Sequence, residues 1–256
     1  MAVRVERDGR VAVVRIDRPE ARNAIDPETS RALNDAFAGI ERDPEVWLSI
    51  LTGTGEVFCA GADLKERDGM TDESFSRQHY LFERMMRAVI ACPPPCIAAV
   101  NGAAFAGGLE LTLNCDFAYA SRTARFALTE VTRGIMPGGG GTQMLPRTIG
   151  ERRAKEVILT GRPFGAEEAL AWGIVNRLCE PGTVLEEVLE TARAICANAP
   201  ISVRQAKKAI THGLQMDKAS GMLFEIEAYY QLIPTEDRME GIAAFNEKRP
   251  PVFKGR

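Results

Sequence analysis

The chain has 256 residues, with 32 basic against 35 acidic side chains and a formal net charge of −3. A 45% hydrophobic and 26% charged composition is that of an ordinary globular protein with enough apolar residues for a sizeable core. That balance excludes wholesale disorder and argues against a polyanion partner, which calls for a basic face. Two histidines, His79 and His212, cannot build a three-histidine zinc site, so no metal centre is expected. The six cysteines include no C-x-x-C pair, and the prolines between Cys92 and Cys96 favour an extended spacer too long for a disulfide. Reduced thiols are expected. The N-terminus lacks the apolar core of a signal peptide and no apolar run approaches about 18 residues, which predicts a cytoplasmic protein that does not enter a membrane.

In chain order, apolar stretches at 3–5 and 11–16 flank Asp8-Gly9 and predict a hairpin. Asp26 followed by Pro27 reads as a helix cap with proline in the first turn, and Leu33, Phe37 and Ile40 mark the buried stripe of a helix over 26–42. A strand is predicted over 47–52 and a helix over 72–91. The continuous apolar run at 96–100 reads as a strand buried on both faces, delivering Asn101-Gly102 into a site. A short helix is predicted from Gly107, strands over 115–120, 125–128 and 174–178, and helices around 142–149 and 152–159. From Thr183 the pattern is helical throughout, so residues 1–198 are expected to form the body and residues 199–256 a helical appendage too small to bury itself alone.

Several familiar chemistries drop out. Gly53-Thr54-Gly55 opens like a dinucleotide fingerprint, but Phe58 holds the third glycine position. There is no Walker loop and no G-x-S-x-G nucleophile elbow. Neither histidine has an identifiable partner, so both are expected to be surface or packed residues.

Three segments remain. Ala60-Gly61-Ala62 is a small-residue turn entering a short helix, where free amides face outward. Gly107-Gly108 starts another helix, and Glu110, three residues on, shares the face of Gly107. Glu130 follows the strand at 125–128 and precedes Pro137-Gly138-Gly139-Gly140-Gly141. Two carboxylates beside two amide donors suit chemistry on a thioester: the amides stabilise a developing enolate oxygen while the acids move protons at the adjacent carbons. A second reading stands beside it, in which Glu110 serves a helix N-terminus and Glu130 is a solvated loop residue.

Phe-Cys-Ala-Gly-Ala-Asp-Leu-Lys at 58–65, Ile-Ala-Ala-Val-Asn-Gly at 97–102, Gly-Gly-Leu-Glu at 107–110 and Pro-Gly-Gly-Gly-Gly-Thr-Gln at 137–143 together resemble the crotonase, or enoyl-CoA hydratase/isomerase, superfamily. The resemblance implies an α/β fold, a spiral of repeated ββα units, with a C-terminal all-helical trimerisation region. It implies a homotrimer or a hexamer built as a dimer of trimers. Carried over to this chain, the N–H groups of Ala62 and Gly107 would form an oxyanion hole for an acyl-CoA thioester, and Glu110 and Glu130 would add water to a trans-2-enoyl-CoA. Ala60 and Leu64 would line the CoA path, with Asp63 in the same segment and Lys65 near the adenosine phosphates, while Arg22-Asn23-Ala24 would border the cofactor. Phe245, Lys248 and Phe253 are further candidates, reaching CoA from a neighbouring subunit. No separate cofactor is implied, because CoA is part of the substrate. The alternatives within the family are a Δ3-Δ2 enoyl-CoA isomerase or a specialised hydratase/dehydratase of the methylglutaconyl-CoA or carnitinyl-CoA type. Two positions depart from the family pattern: Ala106 stands where many relatives have glycine, and Thr129 where the short-chain hydratases have proline.

Overall fold

The computed structural model describes residues 2–256. The first hairpin is β1 (Val3–Asp8) and β2 (Val11–Ile16), followed by α1 (Pro27–Arg42), β3 (Leu48–Gly53), β4 (Val57–Cys59), α2 (Leu64–Arg67) and α3 (Asp72–Ala91). Next come β5 (Cys96–Val100), β6 (Ala103–Phe105), α4 (Gly107–Asn114), β7 (Phe117–Ser121), β8 (Arg125–Ala127), α5 (Gly141–Ile149) and α6 (Glu151–Thr160). The remainder is β9 (Phe164–Gly165), α7 (Ala166–Ala171), β10 (Arg177–Cys179), α8 (Val184–Cys196), α9 (Pro200–Gly213), α10 (Lys218–Tyr230) and α11 (Glu236–Glu247).

The strands form two sheets. One has six strands in the order β1-β2-β3-β5-β7-β10, the other four in the order β4-β6-β8-β9. Three times in succession the chain lays one strand in the larger sheet (β3, β5, β7) and the next in the smaller (β4, β6, β8) before turning to helix. Those strands pair in parallel, so each repeat advances the chain by one strand along both sheets, which is the spiral expected from the motifs. Period-two alternation explains why the larger sheet is covered twice. Leu48, Ile50, Ile97 and Ala99 pack toward Val184, Val188 and Ala192 of α8. Leu51, Ala98 and Val100 pack toward Phe58, Leu109 and Phe126 on the other side. Every residue of β5 is buried, as its unbroken apolar run predicts.

Local signals set most boundaries. Asp26 caps α1, its carboxylate accepting the Thr29 N–H at 2.7 Å, with Pro27 in the first turn. The strand predicted at 115–120 begins later, at Phe117, because Cys115 terminates α4 and the Asp116 carboxylate is turned to the Cys96 N–H at 2.7 Å. The strand predicted at 174–178 shifts to Arg177–Cys179. Ile174 and Val175 instead close α7, both donating to the Ala169 carbonyl beyond the left-handed Gly173. All six cysteines are free thiols.

In the C-terminal region, α8 belongs to the core, whereas α9, α10 and α11 leave Leu214, Leu223 and Phe245 exposed, the last at 83%. The region is nonetheless tied to the body: Lys207 Nζ reaches the Asp116 carboxylate at 2.7 Å and Arg204 donates to the Val46 carbonyl at 2.8 Å. Among the described residues no helix is long and apolar enough to cross a membrane.

Candidate active site

After β4 the chain turns through Ala60-Gly61-Ala62, with Gly61 at φ +90°. This segment pairs in parallel with residues 22–25: Ala60 N–H donates to Arg22 O at 3.1 Å, Ile25 N–H to Gly61 O at 2.8 Å, and Asp63 N–H to Ile25 O at 2.9 Å. The Gly61 carbonyl and the Asp63 N–H both turn to Ile25, so the Ala62 N–H between them points away from the partner segment and has no protein acceptor among the described residues. The partner segment is itself locked. Asn23 is fully buried and its side chain donates to the carbonyls of Thr54 and Val57 at 2.9 and 2.7 Å.

The second amide comes from Gly107, the first residue of α4, whose N–H lies among those a helix leaves unpaired. A Cβ on Gly61 would lie 3.0 Å from the Gly107 nitrogen and 2.8 Å from the Ala106 Cβ, so the two amide-bearing turns are in van der Waals contact. Gly108 lets α4 rest on β4, since a Cβ there would sit 2.1 Å from the Cys59 carbonyl oxygen. Cys59 is no nucleophile: burial pushes its thiol up to about 12.

Glu110 is 1% exposed and Oε1 accepts the N–H groups of Gly139 and Gly141 at 2.7 and 2.8 Å. Burial raises its pKa, and the two amides oppose that rise. Oε2 has no protein partner among the described residues. Glu130 opens a 3₁₀ turn, Glu130–Arg133, and is 8% exposed. Its pKa rises to about 7, first through burial and then through the charge of Glu110, while its own backbone N–H pulls the other way. Its Oε2 is buried without a hydrogen-bond partner. Thr129, where proline was the family pattern, anchors the turn by accepting the Thr132 N–H at 3.0 Å. Of the two readings open for the carboxylates, Glu110 does engage a helix N-terminus, that of α5, whereas Glu130 is buried and no solvated loop residue.

A cavity of about 630 Å³ collects these groups: Ala60, Ala62, Leu64, Gly107, Glu110 and Glu130 all line it. Arg22, Ala24, Asp63 and Lys65 do not. The Asp63 carboxylate is engaged elsewhere, capping α2 through the Lys65 N–H at 3.1 Å and pairing with Arg18 at 3.3 Å. Lys248 takes a left-handed conformation (φ 55°) that ends α11, and Phe253 packs over Gly241. Sequence reasoning missed part of the wall. His79, expected on the surface or in packing, faces the cavity with its ring stacked on Phe82 at 6.2 Å between centroids. Arg67, Phe75 and Met136 also line it. The 3.6-residue spacing of Phe75, His79 and Phe82 on α3 was the available signal, but periodicity alone does not separate a cavity wall from core.

The two-sheet spiral is that of the crotonase class of enzymes. The chain belongs to the enoyl-CoA hydratase/isomerase family, which it matches over residues 6–256. It is 47% identical over 246 residues to the YngF protein of Bacillus subtilis, covering 96% of this chain and 95% of that one. It is 42% identical over 246 residues to the short-chain-enoyl-CoA hydratase of Clostridium acetobutylicum, covering 96% and 94%. The crystal structure of an enoyl-CoA hydratase from Bacillus anthracis superposes with a TM-score of 0.98 at 42% identity, covering all of both chains.

Proposed function

We propose that this enzyme adds water reversibly, with syn geometry, to the C2=C3 bond of a trans-2-enoyl-CoA thioester. One observation carries the reading: the unpaired amides of Ala62 and Gly107 open on the same cavity as Glu110 and Glu130. In this scheme both amides donate to the thioester oxygen and bind it more strongly as charge grows there in the enolate-like transition state. Glu110, anchored through Oε1, keeps Oε2 for water and takes its proton as the hydroxyl bonds to C3. Glu130, whose burial holds its proton to about pH 7, delivers that proton to C2. The proton gained by Glu110 then returns to Glu130, so the pair carries one proton before and after turnover.

CoA arrives on the substrate, and the scheme uses no metal or redox cofactor. Arg22, Ala24, Ala60, Asp63, Leu64 and Lys65 are proposed to form the CoA-binding edge. Residues 1–198 are proposed as the catalytic body and 199–256 as the trimer-forming region, in a trimer or a dimer of trimers; the exposed Leu214, Leu223 and Phe245 support this. Acyl-CoA breakdown in the cytoplasm is its proposed setting. Incubation with crotonyl-CoA, followed by loss of the conjugated thioester absorbance, tests the reading. If that substrate is untouched while a 3-enoyl-CoA gains conjugation, the enzyme is an isomerase instead.

A further inference from the structure

Four consecutive glycines, 138–141, lead from Pro137 into α5 and have no side chains with which to hold a shape. A Cβ at position 139 would lie 2.7 Å from Oε2 of Glu110, and one at position 141 would lie 3.0 Å from Oε1, so the carboxylate itself leaves no room for side chains there. The turn that presents two amides to Glu110 must therefore be fixed from outside, by groups that grip its backbone.

Asn114 supplies such a grip. It is the last residue of α4, four positions after Glu110, and so projects from the same side of the helix one turn further on. Its Nδ2 donates to the Gly139 carbonyl at 2.8 Å. Three successive peptide groups are thereby held from one helix. The first gives the Gly139 N–H to Oε1 of Glu110 at 2.7 Å, the middle one gives the Gly139 carbonyl to Asn114, and the third gives the Gly141 N–H to the same Oε1 at 2.8 Å. Rotation of the middle peptide would swing both flanking amides, and among the described residues that peptide makes no other hydrogen bond. Asn114 is buried, and its Oδ1 has no partner. An unmatched buried oxygen is costly, so an apolar residue would suit this position better if packing were its whole task. The second neighbour of Nδ2 is Met86 Sδ at 3.4 Å, a weak acceptor.

Given the reading above that Glu110 takes a proton from water, we propose that Asn114 is a positioning residue for that step: it holds the Gly139–Gly140 peptide so that the amides on either side stay on Oε1, which keeps Glu110 a carboxylate with Oε2 free for water. The charged and titratable groups that share the cavity with Glu110 are Glu130, His79, Arg67 and Arg133. Asn114 hydrogen-bonds to none of them, so its influence on Glu110 runs through the glycine turn.

The test titrates Glu110 directly, by pH-difference infrared spectroscopy on the full protein, its carboxyl band being the one absent from Glu110→Gln. Loss of the Asn114 donor loosens the two amides, so in Asn114→Leu the midpoint is expected to rise by about 0.5–1 pH unit. Asn114→Ala removes the same donor while favouring the helix, and is expected to shift the midpoint the same way even if leucine is poorly accommodated. Met86→Leu keeps the donor and alters the packing beside it, and its midpoint is expected to match wild type. With crotonyl-CoA, the acid limb of kcat/KM should move up with the midpoint, lowering the rate there by about 3- to 10-fold, while the alkaline limb set by Glu130 stays in place. An unchanged midpoint in both Asn114 variants would overturn the proposal, and so would an equal shift in Met86→Leu. The infrared titration needs no turnover and decides about Asn114 even where crotonyl-CoA is untouched, an outcome that counts against the hydratase reading alone.

Discussion

Oε1 of Glu110 accepts the backbone N–H of Gly141, the first residue of α5, at 2.8 Å. A carboxylate projecting from one helix is thereby held against the positive end of the next. Two opposed effects meet there: burial favours the protonated acid, while the Gly139 and Gly141 amides and the helix end favour the carboxylate. Glu130 has no comparable donors for its buried Oε2 and keeps its proton to higher pH. Burial raises the pKa of both acids of the cavity, and the two amides hold that of Glu110 back, which suits a pair that carries one proton between them in acid–base catalysis.

Replacing either acid by its amide separates chemistry from binding. Glutamine at 110 retains an oxygen for the Gly139 and Gly141 amides, so Glu110→Gln is expected to fold normally. Each of Glu110→Gln and Glu130→Gln should lower kcat for crotonyl-CoA by roughly 10²- to 10⁴-fold, with the affinity for butanoyl-CoA largely kept. Steady-state rates paired with calorimetric affinities decide it, and normal turnover in both variants would remove the acid–base scheme.

The pH dependence follows from one shared proton. Hydration consumes no net proton, so the forward and reverse reactions need the same singly protonated pair. As pH rises through about 7, Glu130 ionises and that state is lost, so kcat/KM should fall on the alkaline side. It should fall again at low pH, when Glu110 is protonated as well. The profiles for hydration of crotonyl-CoA and dehydration of 3-hydroxybutanoyl-CoA are expected to superimpose; limbs displaced from one another would show that the two directions use different protonation states.

Stability carries the same signature with a definite sign. The native pKa of Glu130 lies above its ordinary 4.5, so between about 4.5 and about 7 the unfolded chain sheds this proton more readily than the native one. Unfolding is then favoured as pH rises across that window, and stability falls before levelling above it. Urea titrations at several pH values should show this slope in the wild type and a flatter one in Glu130→Gln, which has no proton to lose.

Much of this arrangement was legible in the sequence because the signals were local. The Asp26-Pro27 cap, the alternation of the hairpin and the unbroken apolar run of β5 each fix an element through neighbouring residues. The two glycine-rich turns and Glu110 were readable for the same reason. What escaped depends on distance or brevity. Strands β4, β6 and β9 are two or three residues long and offer too few positions for any period to emerge. His79 and Arg67 become cavity residues only when α2 and α3 fold over the turn at Ala62, a long-range event with no local mark. Asp63 stands in a motif, yet its carboxylate is taken by Arg18, 45 positions away.

Ala106 adopts φ 50°, ψ −120°, a conformation open to glycine and strained for any side chain. The structure holds it there because its N–H donates to Ala127 O at 2.8 Å and its carbonyl accepts the Glu110 N–H at 3.0 Å. Relief of about 1–3 kcal/mol of strain, offset by the roughly 0.5–1 kcal/mol entropic cost of glycine, leaves Ala106→Gly more stable by about 1 kcal/mol. Thermal unfolding should show a midpoint raised by about 2–4 °C. A lowered midpoint would mean that the methyl group's packing against Gly61 outweighs the strain.

Two glycines near the site should respond in opposite ways to the same added methyl group. At Gly108 a Cβ would fall 2.1 Å from the Cys59 carbonyl oxygen and 2.9 Å from its carbon, both backbone atoms of a strand in the smaller sheet. Nothing can rotate away, so α4 must lift from β4, carrying the Gly107 amide and Glu110 with it. Gly108→Ala is therefore expected to cost at least about 1–3 kcal/mol of stability and to depress kcat/KM beyond what lost folded protein explains. At Gly138 the first obstacle is His79 Cε1 at 2.6 Å, the tip of a side chain that can turn, and the backbone there is not left-handed. Gly138→Ala should shift stability by less than about 1 kcal/mol. Denaturation curves together with active-site-normalised rates for the pair would decide the matter: equal damage from both substitutions would show that the α4–β4 contact does not hold the amide in place.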